Sequence, residues 1–217
     1  MRSLETLSSA DVRGTYLEAA ELAIGLIAEP EVERRWLDES ALTGMSVGHL
    51  ASHLARSVLQ VEWFLATDAS EGVTMGADAY FAGEELMHRE SPRNIGVRER
   101  SIETAASGHA AVLREARQTL QRLKLGLGKE PGSRRLEAFG RLLLLDEYLR
   151  TRIVELTIHS DDLCVSVDLP APPFKDAASA IAISVLVGAA RLRNGDLSVL
   201  RALSRRERDT MQALRVL

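Results

Sequence analysis

Apolar residues recur at helical spacing along nearly the whole chain, and each stripe stops at a turn signal. A core can therefore form only by packing helices on helices. Val12, Tyr16, Ala19, Ala20, Ala23 and Ile27 form the first stripe, capped by Ser8 or Ser9 and closed before Pro30. A short element carrying Trp36 follows. Ser46, just after Gly44, is placed to cap a second long helix whose inner face holds Val47, Leu50, His53, Leu54, Ser57, Val58, Val61 and Leu65. Residues 77–90 read as a shorter helix ended by Ser91-Pro92, and residues 97–125 as a third long helix with Ile102, Ala105, His109, Val112, Ala116 and Leu120 on its stripe. Residues 126–135 hold three glycines and a proline and form a surface loop. A fourth long helix is predicted over 136–161, and a fifth over 175–193, closed by Asn194-Gly195. Only Cys164 to Val167 alternates as a strand does. The expected fold class is all-α: an up-down four-helix bundle with an additional C-terminal helix, residues 1–165 forming the bundle and residues 166–217 an extension packed on it.

Composition excludes several functions. Aromatics are 4% of the chain, too few for base stacking as a main mode of recognition, and a net charge of -4 argues against a general nucleic-acid binder. A lone Cys164 excludes an internal disulfide and a multi-cysteine metal cage, and fits a reducing cytoplasm. The start of the chain shows no signal-peptide core, and the longest uncharged apolar run, Ala177 to Ala190, has 14 residues, too short for a bilayer. No nucleic-acid and no membrane partner is expected.

Chemistry concentrates in two segments a hundred residues apart. In the later one Glu155 and His159 are four residues apart, so one helical turn sets both on the same face. In the earlier one His53 interrupts an apolar stripe. Two histidines and a carboxylate from two helices give three protein ligands and leave a position open, the layout of a reactive rather than a structural divalent-metal site. Arg152, three residues before Glu155, either forms an ordinary ion pair with it or serves a bound anion. Asp161 and Asp162 are expected at the helix end, where they either cap the loop or orient His159 through its other ring nitrogen. His49 and His53 also form an i, i+4 pair, so His49 is a competing ligand or a residue near the helix start; His88 and His109 stand alone and read as structural or surface residues.

Two segments, Trp36 to Ser57 and Arg152 to Leu163, resemble the DinB-like superfamily. Within it they resemble more closely the N-terminal domain of mycothiol-dependent maleylpyruvate isomerases. The first has the tryptophan, the small loop and the inward histidine of that family. The second follows Arg-x-x-Glu-x-x-x-His-x-x-Asp-Leu. The resemblance implies His53, Glu155 and His159 as metal ligands, with Arg152 and Asp162 in supporting or substrate-binding roles. It implies a DinB-like bundle, mycothiol or a similar thiol as cosubstrate, and a small electrophile as substrate. Met45 stands where the family often has tryptophan, and only residues 166–217 follow the second motif, where the isomerases carry a further domain. For a His2Glu donor set zinc is the first choice, with nickel, iron or manganese as alternatives. The expected function is a metal-dependent, thiol-dependent transferase or isomerase in the cytoplasm, as a monomer or homodimer. The alternative is a non-catalytic helical binding module, with or without metal. Between Arg191 and Leu217 seven arginines face three acids, and the expected role of this tail is an amphipathic cap with Leu197, Leu200 and Leu203 inward.

Overall fold

Ser8 caps the first helix reciprocally: its hydroxyl accepts from the Asp11 amide at 3.3 Å while its own amide donates to the Asp11 carboxylate at 3.0 Å. The helix that follows, α1 (Ser9–Ile27), buries the whole of its expected stripe. The structure, a computed structural model, describes residues 8–204 and residue 214. After α1 come α2 (Pro30–Arg34), α3 (Val47–Leu65), α4 (Ala77–Phe81), α5 (Pro92–Ala105), α6 (His109–Gly126), the strands β1 (Arg135–Ala138) and β2 (Arg141–Leu144), then α7 (Leu145–Val167), α8 (Asp176–Asn194) and α9 (Asp196–Ser204). The fold is all-α with one small hairpin, as the stripes require.

Helices α1, α3, α6 and α7 form the bundle: α1 packs on α7 and α6, and α3 on the same two. Tyr16, Leu50, Leu54, Tyr148 and Leu149 fill its centre with no exposed surface. Tyr16 donates its hydroxyl to the Ser57 carbonyl at 3.3 Å, which ties α1 to the middle of α3. Ser46 caps α3 as expected, and the helix start is pressed against Trp36: a Cβ at Gly48 would lie 2.6 Å from the indole ring. Around the bundle, α5 lies on α3, α8 on α7 and α4, and α9 on α8. Arg193 fastens α8 to the end of α4 by donating to the carbonyls of Phe81 at 2.8 Å and Gly83 at 3.0 Å.

Several boundaries differ from the stripes. The expected helix over 97–125 is two helices, because Gly108 adopts φ +84° and turns the chain between α5 and α6. Ser91-Pro92 opens α5 rather than only closing the segment before it: the Ser91 hydroxyl accepts from the Asn94 amide at 3.2 Å. Within 77–90 there are two short pieces, α4 and a 3-10 turn at Glu84–Met87. The first part of the expected helix over 136–161 is instead the antiparallel hairpin β1–β2, with Leu136 opposite Leu143 and both fully buried. Phe139 (φ 53°) and Gly140 (φ 73°) form its two-residue turn, the backbone handedness that suits a tight hairpin. The Met75 amide donates to the Leu142 carbonyl at 2.9 Å, so the hairpin also holds the loop after α3.

Cys164 to Val167 is not a strand but the last turn of α7: Leu163, Cys164 and Val167 are buried at helical spacing. Asp161 and Asp162 therefore lie inside the helix, which ends at Asp168 in the left-handed region at φ 58°. The amphipathic cap is also corrected. In α9 only Val199 is buried, and Leu197, Leu200 and Leu203 are each more than half exposed. The remaining tail arginines, Arg205, Arg206, Arg208 and Arg215, lie outside the described residues.

Candidate metal centre

His53 sits two turns into α3, and Glu155 and His159 sit one turn apart on α7, on the faces by which the two helices pack. Packing of α3 on α7 closes the hundred-residue gap. One carboxylate oxygen, Glu155 Oε2, lies 3.0 Å from His53 Nε2 and 3.3 Å from His159 Nε2. The two imidazoles meet edge to face with centroids 4.7 Å apart. The three side chains are mostly buried, with 15–19% of their surface exposed. They are the group of potential ligands that converge among the described residues, with donor atoms all within 4.8 Å of one another.

Donor spacing tests whether a divalent ion suits this group. Ligand bonds of about 2.0–2.2 Å in a tetrahedral arrangement set donors roughly 3.3 Å apart. The distances of 3.0 and 3.3 Å around Glu155 Oε2 are close to that spacing, and all three donors lie within 4.8 Å of one another. Three protein donors leave one position for an exogenous ligand, and the centre opens into a cavity of about 780 Å³. The residues fit such an ion.

Supporting contacts fix the donors. Asp162 Oδ2 lies 2.9 Å from His159 Nδ1, which turns Nε2 toward the centre and makes the ring a better donor. Of the two roles open to Asp162, the geometry fits the orienting one. Arg152 is buried: Nη1 donates to Gln60 Oε1 at 3.2 Å and Nε to Thr151 Oγ1 at 3.1 Å. Its distance to Glu155 Oε1 is 3.9 Å, an ion pair without a hydrogen bond. The guanidinium also lies over the Tyr148 ring at 5.0 Å.

The electrostatics follow from burial and these contacts. Burial lowers the basicity of His53, and its hydrogen bond to Glu155 offsets only part of that. For His159 burial acts in the same direction, but the hydrogen bonds to Asp162 and Glu155 prevail and raise its pKa to about 9. For Glu155 burial opposes ionisation, yet hydrogen bonds from His159 and His53 and the charge of Arg152 hold it well below the ordinary carboxylate range. The carboxylate is thus ionised at neutral pH, as a ligand must be.

The other histidines lie elsewhere. His49 belongs to the cap of α3, where its Nδ1 accepts from the Ser46 amide at 3.2 Å. His109 bonds the Ile27 carbonyl at 2.7 Å through Nε2, beside Trp36, and His88 is exposed. Met45, at the position of the family tryptophan, lines the cavity, so this wall is thioether rather than indole.

Sequence reasoning missed the rest of the cavity wall. Arg56 and Gln60 from α3, Tyr80 from α4, Arg93 and Arg100 from α5 and Phe139 from the hairpin turn all face it. One signal was available: Arg56 falls one turn after His53 and one turn before Gln60, so polar residues continue along the face of α3 that carries the histidine. The α5 and hairpin contributions carried no comparable signal, because both segments read as parts of longer helices.

Comparisons with known proteins concern the family and the fold. Residues 17–164 match the family described as the mycothiol maleylpyruvate isomerase N-terminal domain. The chain is also similar to a mycothiol-dependent maleylpyruvate isomerase of known crystal structure, with a TM-score of 0.53 and 16% identity over 86% of this chain and 71% of that one. At that identity the likeness concerns the fold. No curated protein matches the chain significantly.

Proposed function

Because this chain belongs to the mycothiol maleylpyruvate isomerase N-terminal domain family, we propose that it is a metal-dependent enzyme using a low-molecular-weight thiol of the mycothiol type on a small electrophile, by S-transfer or isomerisation. The observation that carries this reading is the convergence of His53, Glu155 and His159 at the floor of an open cavity. In this reading residues 1–165 form the catalytic bundle and residues 166–217 an extension packed on it. His53 Nε2, Glu155 Oε2 and His159 Nε2 hold the ion, with zinc as the choice for two imidazoles and a carboxylate and nickel, iron or manganese as alternatives. When bound, a divalent ion lowers the pKa of a thiol that reaches its open position, so that thiolate is present near neutral pH.

The chain's own residues prepare that chemistry. Asp162 holds the proton of His159 at Nδ1, so Nε2 is the nitrogen that would meet the ion once the proton it shares with Glu155 is displaced. Arg152, fixed by Gln60 and Thr151, keeps Glu155 ionised and presents positive charge to the cavity. The three donor side chains keep only 15–19% of their surface exposed, which limits water around a thiolate bound there and raises its nucleophilicity. In S-transfer the sulfur lone pair forms a C–S bond and the leaving group departs with its bonding pair. In isomerisation sulfur adds to an activated double bond, the electron pair moves to the activating group, the single bond rotates, and loss of sulfur restores the double bond. The thiol is consumed in the first and returned in the second.

The experiment is elemental analysis of the purified protein alongside thiol-dependent turnover. Stoichiometric metal, lost in His53→Ala, with consumption of 1-chloro-2,4-dinitrobenzene or maleylpyruvate only when thiol is added, supports the reading. Metal-free protein with no thiol dependence overturns it in favour of a binding module.

A further inference from the structure

The cavity above the centre carries an excess of positive charge that the protein itself does not neutralise. Seven arginines and two glutamates line it, in a chain whose net charge is -4. Glu85 is occupied by Arg93 and Arg141, and Glu155 by the two histidines and Arg152. At the rim, Arg89 and Arg98 bond the carbonyls of Thr43 and Arg89 and share Glu90. Arg56 and Arg100 remain. Among the described residues neither forms an ion pair.

Both are nonetheless held in place. Arg56 is 9% exposed, donates Nη1 to Thr104 Oγ1 at 3.2 Å and stacks over Trp63 at 5.2 Å. Arg100 stacks over Phe139 at 4.9 Å, and its Nε is buried without a hydrogen-bond partner. The two guanidiniums are close enough to repel: burial first, and Arg100 second, lower the pKa of Arg56, and the charge of Glu103, which forms no ion pair with it, offsets only part of this. Cation–π contacts return about 0.5–2 kcal/mol each. Withdrawing an ion from water costs several kcal/mol, so stacking alone does not explain a buried Arg56 beside a partly buried Arg100 with no ion pair to either. A bound anion does. The planar guanidinium fork matches a carboxylate or a phosphate in bidentate fashion.

We propose that Arg56 and Arg100 hold an oxyanion of the substrate, a carboxylate or a phosphate, one helical turn along α3 from His53. The two arginines then position an anionic electrophile by its charge, so that its reacting carbon lies over the centre. This inference rests on the reading of the cavity as the reaction site. It adds Arg100, which lies outside both motif segments, and gives a role to Arg56, which lies in the first segment without one.

Calorimetric titration at fixed ionic strength tests it, with succinate, inorganic phosphate and the neutral diamide succinamide as probes. The protein is used both as purified and after chelation and dialysis. Succinate or phosphate should bind both preparations and succinamide neither; the tighter oxyanion identifies the group. Arg100→Gln and Arg56→Gln should each weaken binding roughly tenfold or more, the usual worth of a charge-assisted hydrogen bond. Arg122→Gln, the same charge change on the outer surface, should leave it unchanged. Arg100→Gln is the decisive variant, because Arg100 forms no ion pair among the described residues and its Nε has no hydrogen-bond partner, so the change forfeits mainly the stacking over Phe139, and thermal unfolding of the variant checks that it folds. Equal binding of succinamide, wild-type affinity in Arg100→Gln, or loss of the arginine dependence after chelation would each overturn the proposal. Metal content measured on the same samples separates it from the thiol-enzyme reading. Metal-free wild type with the arginine pattern intact sinks that reading alone, and stoichiometric metal with an indifferent Arg100→Gln sinks this one alone.

Discussion

Replacing Glu155 by Gln separates a metal ligand from a structural ion pair in one protein. The change keeps the volume and removes the charge. Glu155 Oε2 faces both imidazoles, at 3.0 and 3.3 Å, whereas Oε1 is 3.9 Å from Arg152. Losing a group that merely supports a ligand costs 10–100-fold in metal affinity, so losing the ligand itself should cost more than about 100-fold, or roughly 2.7 kcal/mol. The metal-free protein should respond differently. At about 4 Å, opposite charges in a protein environment attract by roughly 4 kcal/mol, and desolvation offsets most of this. Arg152 also retains Gln60 and Thr151. The glutamine amide oxygen can still accept from one of the two imidazoles that now bond the carboxylate, so the expected loss of apo stability is about 1–3 kcal/mol, against the 3–5 kcal/mol of a broken buried ion pair. In a chain of this size each kcal/mol shifts the melting temperature by about 2–4 °C. Metal content after dialysis against a buffered ion, and thermal unfolding of the chelated protein, read the two effects. Unchanged metal content with a loss of more than roughly 3 kcal/mol in apo stability would refute the assignment of Glu155 and the thiol-activating reading with it.

Other variants test neighbouring parts of the argument. His53→Ala should abolish stoichiometric metal, whereas His49→Ala should preserve it and cost about 1 kcal/mol in unfolding free energy through the lost cap at Ser46; the reverse pattern would place the site on the wrong turn of α3. Asp162→Asn, which leaves His159 in position but weakens the contact at Nδ1, should lower metal affinity about 10–100-fold in competition with a chelator, and unaltered affinity would remove Asp162 from the site. Gly48→Ala should destabilise the protein by about 1–3 kcal/mol in denaturant unfolding, because its Cβ would meet the Trp36 ring at 2.6 Å. A neutral effect there would mean that the indole swings aside freely.

The sequence by itself determined the bundle and the floor of the site. Stripes at helical spacing specify helices that must pack on each other, and Ser8 and Ser46 mark the starts of α1 and α3 because a hydroxyl before an apolar run satisfies amides that the helix leaves open. Glu155 and His159 were legible as a pair because one turn of helix fixes their relation locally. His53 was legible as a candidate because it interrupts an apolar stripe, but resemblance joined it to the pair, since no local rule links residues a hundred positions apart; the packing of α3 on α7 brings it there. Periodicity could not reveal where a stripe changes its structure. Leu136 to Leu144 suits a buried helix as well as a hairpin, and the choice falls to the turn at Phe139 and Gly140 and to pairing with the loop at Met75. Nor could it reveal the bend at Gly108, which allows α5 to lie on α3 while α6 completes the bundle. These two departures build the wall opposite the histidines. Arg100 and Phe139 reach the cavity only because the chain breaks where its pattern reads as continuous, and the charge of that cavity is a property of tertiary structure alone.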